Sequence, residues 1–221
     1  MYRVTPEPLS ADAVIFACPS WATAPLLAGV DAGLAAELDR LAYAPCATVN
    51  LVYRKSDVGR MPTSLGFFVP RTERRPLLAV SFVSAKFPDR APDDHVLLRA
   101  FLGGALRPDV VEHDEDTLAR LAHDELRSLL GLRGEPVLAR TTRFPRAMPQ
   151  YEVGFLSRLE SIEARVADVP GLALAGGAVG AVGLPDCIAS GERAAEDAVD
   201  FVAAAPAPSR TPADEASRTG I

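Results

Sequence analysis

The sequence of 221 residues reads as a mixed fold, α/β or α+β, on three grounds. Short apolar runs rich in β-formers fill its middle, separated by Pro/Gly/Asp turns. One amphipathic helical stretch follows them. The last third then runs strand, glycine-rich loop, helix. With 48% hydrophobic and 24% charged residues the chain is globular rather than disordered, and long enough for one large domain or two small ones.

Taken in order, Ala11–Ala17 (ADAVIFA) predicts a buried strand ending in a loop at Cys18-Pro19. Thr23–Leu41 repeats apolar residues at three and four, which predicts helical pieces broken at Pro25 and Gly29. Cys46–Arg54, Ser64–Pro70, Pro76–Ser84 and His95–Leu102 predict four strands, close enough for an antiparallel meander. Asp114–Leu132 predicts a helix with Leu118, Leu121, Leu126, Leu129 and Leu130 on one side, closed by Gly134 and Pro136. Pro136–Arg143 predicts a further strand, Gly154–Val166 a helix and Gly171–Ala175 a short buried strand. A helix is expected from Leu184 to about Ala203. The Ala/Pro/Ser-rich, charged tail 204–221 is expected to be disordered.

Composition excludes several functions. The net charge of −6, with no basic run, argues against a nucleic-acid partner. Cys18, Cys46 and Cys187 are scattered and form no zinc-type cluster with His95, His113 or His123, so free thiols and no metal are expected. His113 and His123, in an acidic helical stretch, are expected at the surface. Met1-Tyr2-Arg3 opens no signal peptide, and no apolar run reaches the ~18–20 residues of a membrane span. A cytoplasmic location is expected, and peripheral membrane contact stays open.

Chemistry concentrates in GLALAGGAVGAVGLPDCIASG, residues 171–191. Gly176, Gly177, Gly180 and Gly183 permit left-handed backbone and close ligand approach. Pro185 suits a first helical turn, whose free N–H groups and dipole favour an anion or an electron-rich ring edge. The spacing is GxxGxxG, not GxGxxG, and no second strand with an acidic ribose ligand follows. The element therefore closes a nucleotide site or is simply a tight turn.

Six blocks, in order, resemble the oxygen-dependent, FAD-containing protoporphyrinogen/coproporphyrinogen oxidases within the flavin amine oxidase superfamily. They are Ala11–Val14 with Cys18-Pro19, Gly66–Pro70, Lys86–Pro92, Leu98–Gly104, Arg146–Tyr151 and Val182–Gly191. The resemblance covers about residues 10–203. It implies a partial FAD-binding domain of p-hydroxybenzoate-hydroxylase/amine-oxidase type in segments 1–33 and 141–203. Residues 34–140 would be the C-terminal part of a substrate domain, an antiparallel sheet with a helix. It also implies removal of six electrons from protoporphyrinogen IX or coproporphyrinogen III, with three oxygen molecules as acceptor, in haem biosynthesis. The first FAD-binding βαβ unit has no counterpart, so the chain alone is expected to be inactive, or to need a separate N-terminal half.

By the same resemblance Val182, Gly183 and Leu184 would lie beside the flavin ring, with Gly176 and Gly177 in the cofactor loop. Asp186 is expected to balance the helix dipole and Cys187 to be a packed small residue. The sequence departs from the family at Gly177, where Asn is usual, at Val179, where an aromatic is usual, and at Phe144, where Trp is favoured. Arg54, Arg99 and Arg146 are candidate clamps for porphyrinogen carboxylates. Arg146 and Tyr151 would flank a Pro-rich turn, and Phe67, Phe68 and Phe87 are expected in the sheet core. No general base stands out, in keeping with chemistry carried by a cofactor. A non-catalytic porphyrin-binding remnant, and another flavin amine oxidase, are the alternatives.

Overall fold

The computed structural model describes residues 8–59 and 63–204, so the expectations for Met1–Arg3 and for residues 205–221 lie outside the described residues. In chain order the elements are β1 (Val14–Phe16), α1 (Ser20–Leu27), α2 (Ala32–Asp39), β2 (Tyr43–Arg54), α3 (Lys55–Val58), β3 (Gly66–Phe68), β4 (Leu77–Phe82) and α4 (Val83–Lys86). There follow β5 (His95–Gly103), α5 (Glu115–Leu130), β6 (Leu138–Pro149), α6 (Phe155–Ala167), β7 (Leu172–Leu174) and α7 (Leu184–Ala204). Two compact units divide the chain, one of residues 42–150 and one of 1–41 with 151–221. The seams fall later in sequence than the expected boundaries after residues 33 and 140.

Unit 42–150 is an antiparallel sheet of order β3-β4-β5-β2-β6 with α5 across one face. β3, β4 and β5 form the expected meander, but β2 lies between β5 and β6. Alternation along a strand predicts its two faces, not its partners, and β2 pairs along both edges. Val49, Leu51 and Tyr53 of β2, with Leu98, Ala100 and Leu102 of β5, are buried against Leu118, Ala122 and Leu126 of α5. Each such aliphatic side chain contributes roughly 1.5–3 kcal/mol when fully buried. α5 starts at Asp114, whose Oδ1 accepts from the Thr117 N–H at 2.7 Å, and ends at Gly131 in the left-handed region.

Three expectations for this unit need correction. Leu129 is 39% exposed, because the buried stripe of α5 runs through Leu118, Ala122, His123 and Leu126. His123 is thus buried rather than on the surface, its Nδ1 paired with the Tyr53 hydroxyl at 2.9 Å. The turn expected around Arg146 is strand instead: β6 runs to Pro149 and pairs Met148 with Ala44. A register shift in β2 between Ala44 and Cys46, and the edge position of β6, accommodate Pro145 and Pro149 without ladder N–H groups.

In the other unit β1 and β7 pair in parallel, Val14 with Leu172 and Phe16 with Leu174. Leu27 of α1, Leu34 and Leu38 of α2, Ile162 of α6 and Leu174 pack into one core. Pro25 lies inside α1, so the break before α2 falls only at Ala28–Asp31. The Asp31 side chain caps α2, accepting from the N–H groups of Gly33 at 2.7 Å and Leu34 at 3.0 Å. Arg165 of α6 donates to the same carboxylate at 3.1 Å. A Cβ at Gly33 would displace that guanidinium, so glycine leaves room for the Arg165 contact.

Candidate functional site

The glycine loop leaves the carboxyl end of β7, beside the carboxyl end of its parallel partner β1. Ligands of parallel sheets sit beyond that end of the strands. Ala175 N–H donates to the Phe16 carbonyl at 2.9 Å, which ties the start of the loop to β1. Gly176 then turns at φ +78°, and a Cβ there would meet nothing nearer than the Ala17 carbonyl at 3.9 Å. The space that glycine leaves is open to a ligand.

Ser190, buried on α7, holds the loop from below. Its hydroxyl accepts from Gly176 N–H at 2.9 Å and donates to the Cys187 carbonyl at 2.9 Å. From above, the Tyr151 hydroxyl donates to the Gly177 carbonyl at 3.0 Å, while its ring stacks on Phe155 at 4.1 Å. Tyr151 is therefore partly buried and engaged with the loop, a role its sequence neighbourhood did not signal. The Cys187 thiol is half-buried and lies 3.5 Å from the Ala181 carbonyl.

The start of α7 departs from a bare helix end. Asp186, the third helical residue, reaches back so that its Oδ2 accepts from Gly183 N–H at 3.2 Å, one half of a capping box. Pro185 has no N–H. Leu184 and Asp186 thus supply the donors left in the first turn, and the Asp186 carboxylate offsets part of the dipole. Val182 and Leu184 are 65% and 80% exposed, apolar surface flanking those donors. Open glycine backbone, helix-end donors and exposed apolar side chains together fit one edge of a flat heterocycle. They bring Gly176, Gly177, Val182, Gly183 and Leu184 into one segment. Among the described residues there is no second βαβ unit to take a dinucleotide.

In unit 42–150 the sheet face away from α5 carries a different surface. Strand register places Arg99, Asn50 and Arg140 in one row across β5, β2 and β6, and the next row is Phe101, Thr48 and Thr142. Arg99 Nε donates to Asn50 Oδ1 at 2.8 Å. A cavity of about 520 Å³ on this face is lined by Phe68, Leu78, Phe101, Met148 and Lys86, among others. Phe68 is 88% exposed and Phe87 also lies at the surface, with Lys86 and Arg90 near its ring. Neither is the core residue expected, whereas Phe67 packs edge-on against Phe82. Two-residue periodicity assigns the face only once β3's partner is known.

Of the three candidate clamps, the structure puts Arg99 in the row just described, Arg54 at the end of β2 and Arg146 on β6. Arg140 was missed by sequence reasoning. Its position opposite Asn50 depends on the β2–β6 register, which the sequence does not display. No group of His, Cys, Asp and Glu among the described residues could hold a metal ion, and no described helix is long and apolar enough to cross a membrane.

Comparison with known proteins matches these elements. The model of the family described as flavin containing amine oxidoreductase matches residues 2–199. The coproporphyrinogen III oxidase of Propionibacterium freudenreichii subsp. freudenreichii is 34% identical over 214 residues, covering 96% of this chain and 40% of that protein. The coproporphyrinogen III oxidase of Bacillus subtilis (strain 168) is 30% identical over 195 residues, 88% of this chain and 41% of that protein. A crystal structure provisionally assigned as a protoporphyrinogen oxidase of Exiguobacterium sp. 255-15 superposes with a TM-score of 0.68 at 30% identity, covering 87% of this chain and 41% of that chain. A putrescine oxidase, 17% identical with a TM-score of 0.60, covers 88% of this chain and 43% of that one, and shares the fold. The chain thus spans about two fifths of the length of these relatives.

Proposed function

Because the chain belongs to the flavin-containing amine oxidoreductases, a family whose cofactor is FAD, we propose that it carries the porphyrinogen-binding sheet and the closing flavin element of an oxygen-dependent oxidase. The substrate is coproporphyrinogen III or protoporphyrinogen IX and the product the corresponding porphyrin. Segments around β1 and from α6 to α7 are the flavin-domain part, and residues 42–150 the substrate part.

The observation that carries this reading is the open face of the five-stranded sheet. It offers a broad apolar centre, Phe68, Phe101 and Met148, beside a row of guanidinium groups at Arg99 and Arg140. A porphyrinogen has that character, a wide apolar macrocycle with carboxylates at its rim. Phe101 and Met148 would exclude water from the macrocycle, and Arg99, already oriented by Asn50, would fix a carboxylate by paired N–H bonds. When bound, FAD supplies the hydride acceptor, and its edge would be met by the Leu184 N–H and the glycine backbone from Gly176. The names of the relatives support the same substrate class.

Titration of the chain with coproporphyrin III, the stable oxidised form of one substrate, tests this reading by fluorescence quenching. Saturable binding that Phe101→Asp abolishes is expected. Failure of the wild-type chain to bind the porphyrin would overturn it.

A further inference from the structure

A second cavity in unit 42–150, of about 570 Å³, opens where the β3–β4 connection meets the end of β5. Four arginines line it: Arg71, Arg74, Arg75 and Arg107. Two of them are neutralised within the unit. Arg75 lies 3.1 Å from Glu125 of α5 and 3.9 Å from Glu73, and Arg107 lies 3.2 Å from Asp109. Among the described residues no acidic side chain forms an ion pair with Arg71 or Arg74. Among the described residues these two arginines therefore have no counter-charge, and the cavity they line also has apolar walls at Val69, Leu77 and Leu106.

The loop that presents them is held in shape. Pro70 and Pro76 bracket it and restrict its ends, and Arg74 sits in the left-handed region at φ +51°, its N–H donating to the Arg71 carbonyl at 3.2 Å. That backbone costs a non-glycine residue roughly 1–2 kcal/mol, so the turn holds Arg74 where glycine would be easier. Leu78 lines this cavity and also the one on the open sheet face. A Cβ at Gly104 would come within 3.0 Å of its Cδ1, so glycine lets the chain press close on the shared wall.

We infer that Arg71 and Arg74 bind carboxylates of a porphyrinogen whose macrocycle rests on the open face, reached across Leu78. This inference rests on the porphyrinogen reading above and adds the residues that anchor one rim of the ring. Guanidinium groups suit the task, because each meets a carboxylate through two parallel N–H bonds and stays charged at any physiological pH. With no ion pair among the described residues, they give up none when a ligand arrives.

The test compares coproporphyrin III with its tetramethyl ester, which has the same ring and no free carboxylate, on the wild-type chain and on the double variant Arg71→Ala/Arg74→Ala. The expected result is a fall of about 10- to 100-fold in affinity for coproporphyrin III, with ester affinity unchanged, and partial recovery in Arg71→Lys/Arg74→Lys. Coproporphyrin III affinity unchanged in the double variant overturns the inference and leaves the porphyrinogen reading standing. Equal losses for acid and ester overturn it too, since the arginines would then act on the fold rather than on carboxylates. A wild-type chain that binds neither compound overturns both.

Discussion

The Tyr53 hydroxyl lies 2.9 Å from Nδ1 of His123, joining the end of β2 to the buried face of α5. The other ring nitrogen, Nε2, lies 3.3 Å from Glu135 Oε2 but outside hydrogen-bond geometry. Two polar groups are thereby placed in an otherwise apolar core, and each is the other's partner.

Tyr53→Phe therefore leaves Nδ1 of a buried imidazole unpaired, and a loss of about 1–3 kcal/mol is expected in urea unfolding. Burial first, and the Glu135 carboxylate second, push the Tyr53 phenol well above its ordinary value of 10.0. The folded protein holds that proton more firmly than the unfolded chain does. Its contribution is complete below about pH 10 and is lost as pH rises further. The wild-type protein should lose stability steeply in alkali, and Tyr53→Phe should flatten that limb. An unchanged alkaline limb would count against the placement.

At the other end of the pH scale, Asp31 is one of four aspartates held low among the described residues, with Asp94, Asp109 and Asp114. Its carboxyl is held below the ordinary 3.8, chiefly by the Leu34 N–H, then the Gly33 N–H and Arg165, against some desolvation. A depressed carboxyl stabilises above its ordinary value and loses that contribution as pH falls through the lowered one. Asp31→Asn keeps an acceptor for the cap but removes the charge facing Arg165. Acid unfolding followed by circular dichroism should show less stability lost between pH 4 and pH 2 in the variant.

Ser190→Ala removes the acceptor for Gly176 N–H inside the folded loop. An unsatisfied buried donor costs about 1–3 kcal/mol, so a lower melting temperature is expected, together with faster proteolysis between β7 and α7. Ser190→Thr, which keeps the hydroxyl, should restore both. Cleavage rates equal in wild type and Ser190→Ala would show that the bond does not hold the loop.

After incubation with excess FAD and desalting, the chain is expected to keep well under one equivalent of flavin absorbance. Its described residues offer one glycine loop over two parallel strands, and a dinucleotide takes a complete βαβ unit as well. Mixing with a polypeptide that supplies such a unit should raise retention towards one equivalent. Stoichiometric retention by the chain alone would show that the loop and the start of α7 suffice.

What was legible in the sequence is what local chemistry determines. Gly176, Pro185 and the apolar run before them specify strand, loop and helix without reference to distant residues, and β7 and α7 stand where expected. Asp114 and the spacing of Leu118 and Leu126 likewise announce α5. Partner choice was not legible. That β2 separates β5 from β6, that Arg140 joins Arg99 in one row, and that Phe68 faces outward all follow from register between segments far apart in sequence. His123 was misplaced because its neighbours in sequence are acidic, whereas its environment is set by Tyr53, seventy residues away.

Unit 42–150 begins and ends at one doorway, since Gln150 N–H donates to the Ala42 carbonyl at 2.8 Å. During vectorial synthesis that insert emerges whole and can collapse at once, whereas β1 must wait for β7, its strand partner among the described residues. The parallel pair is thus the last seam to be sewn. Whatever delays its closure acts on the glycine loop first and spares the sheet.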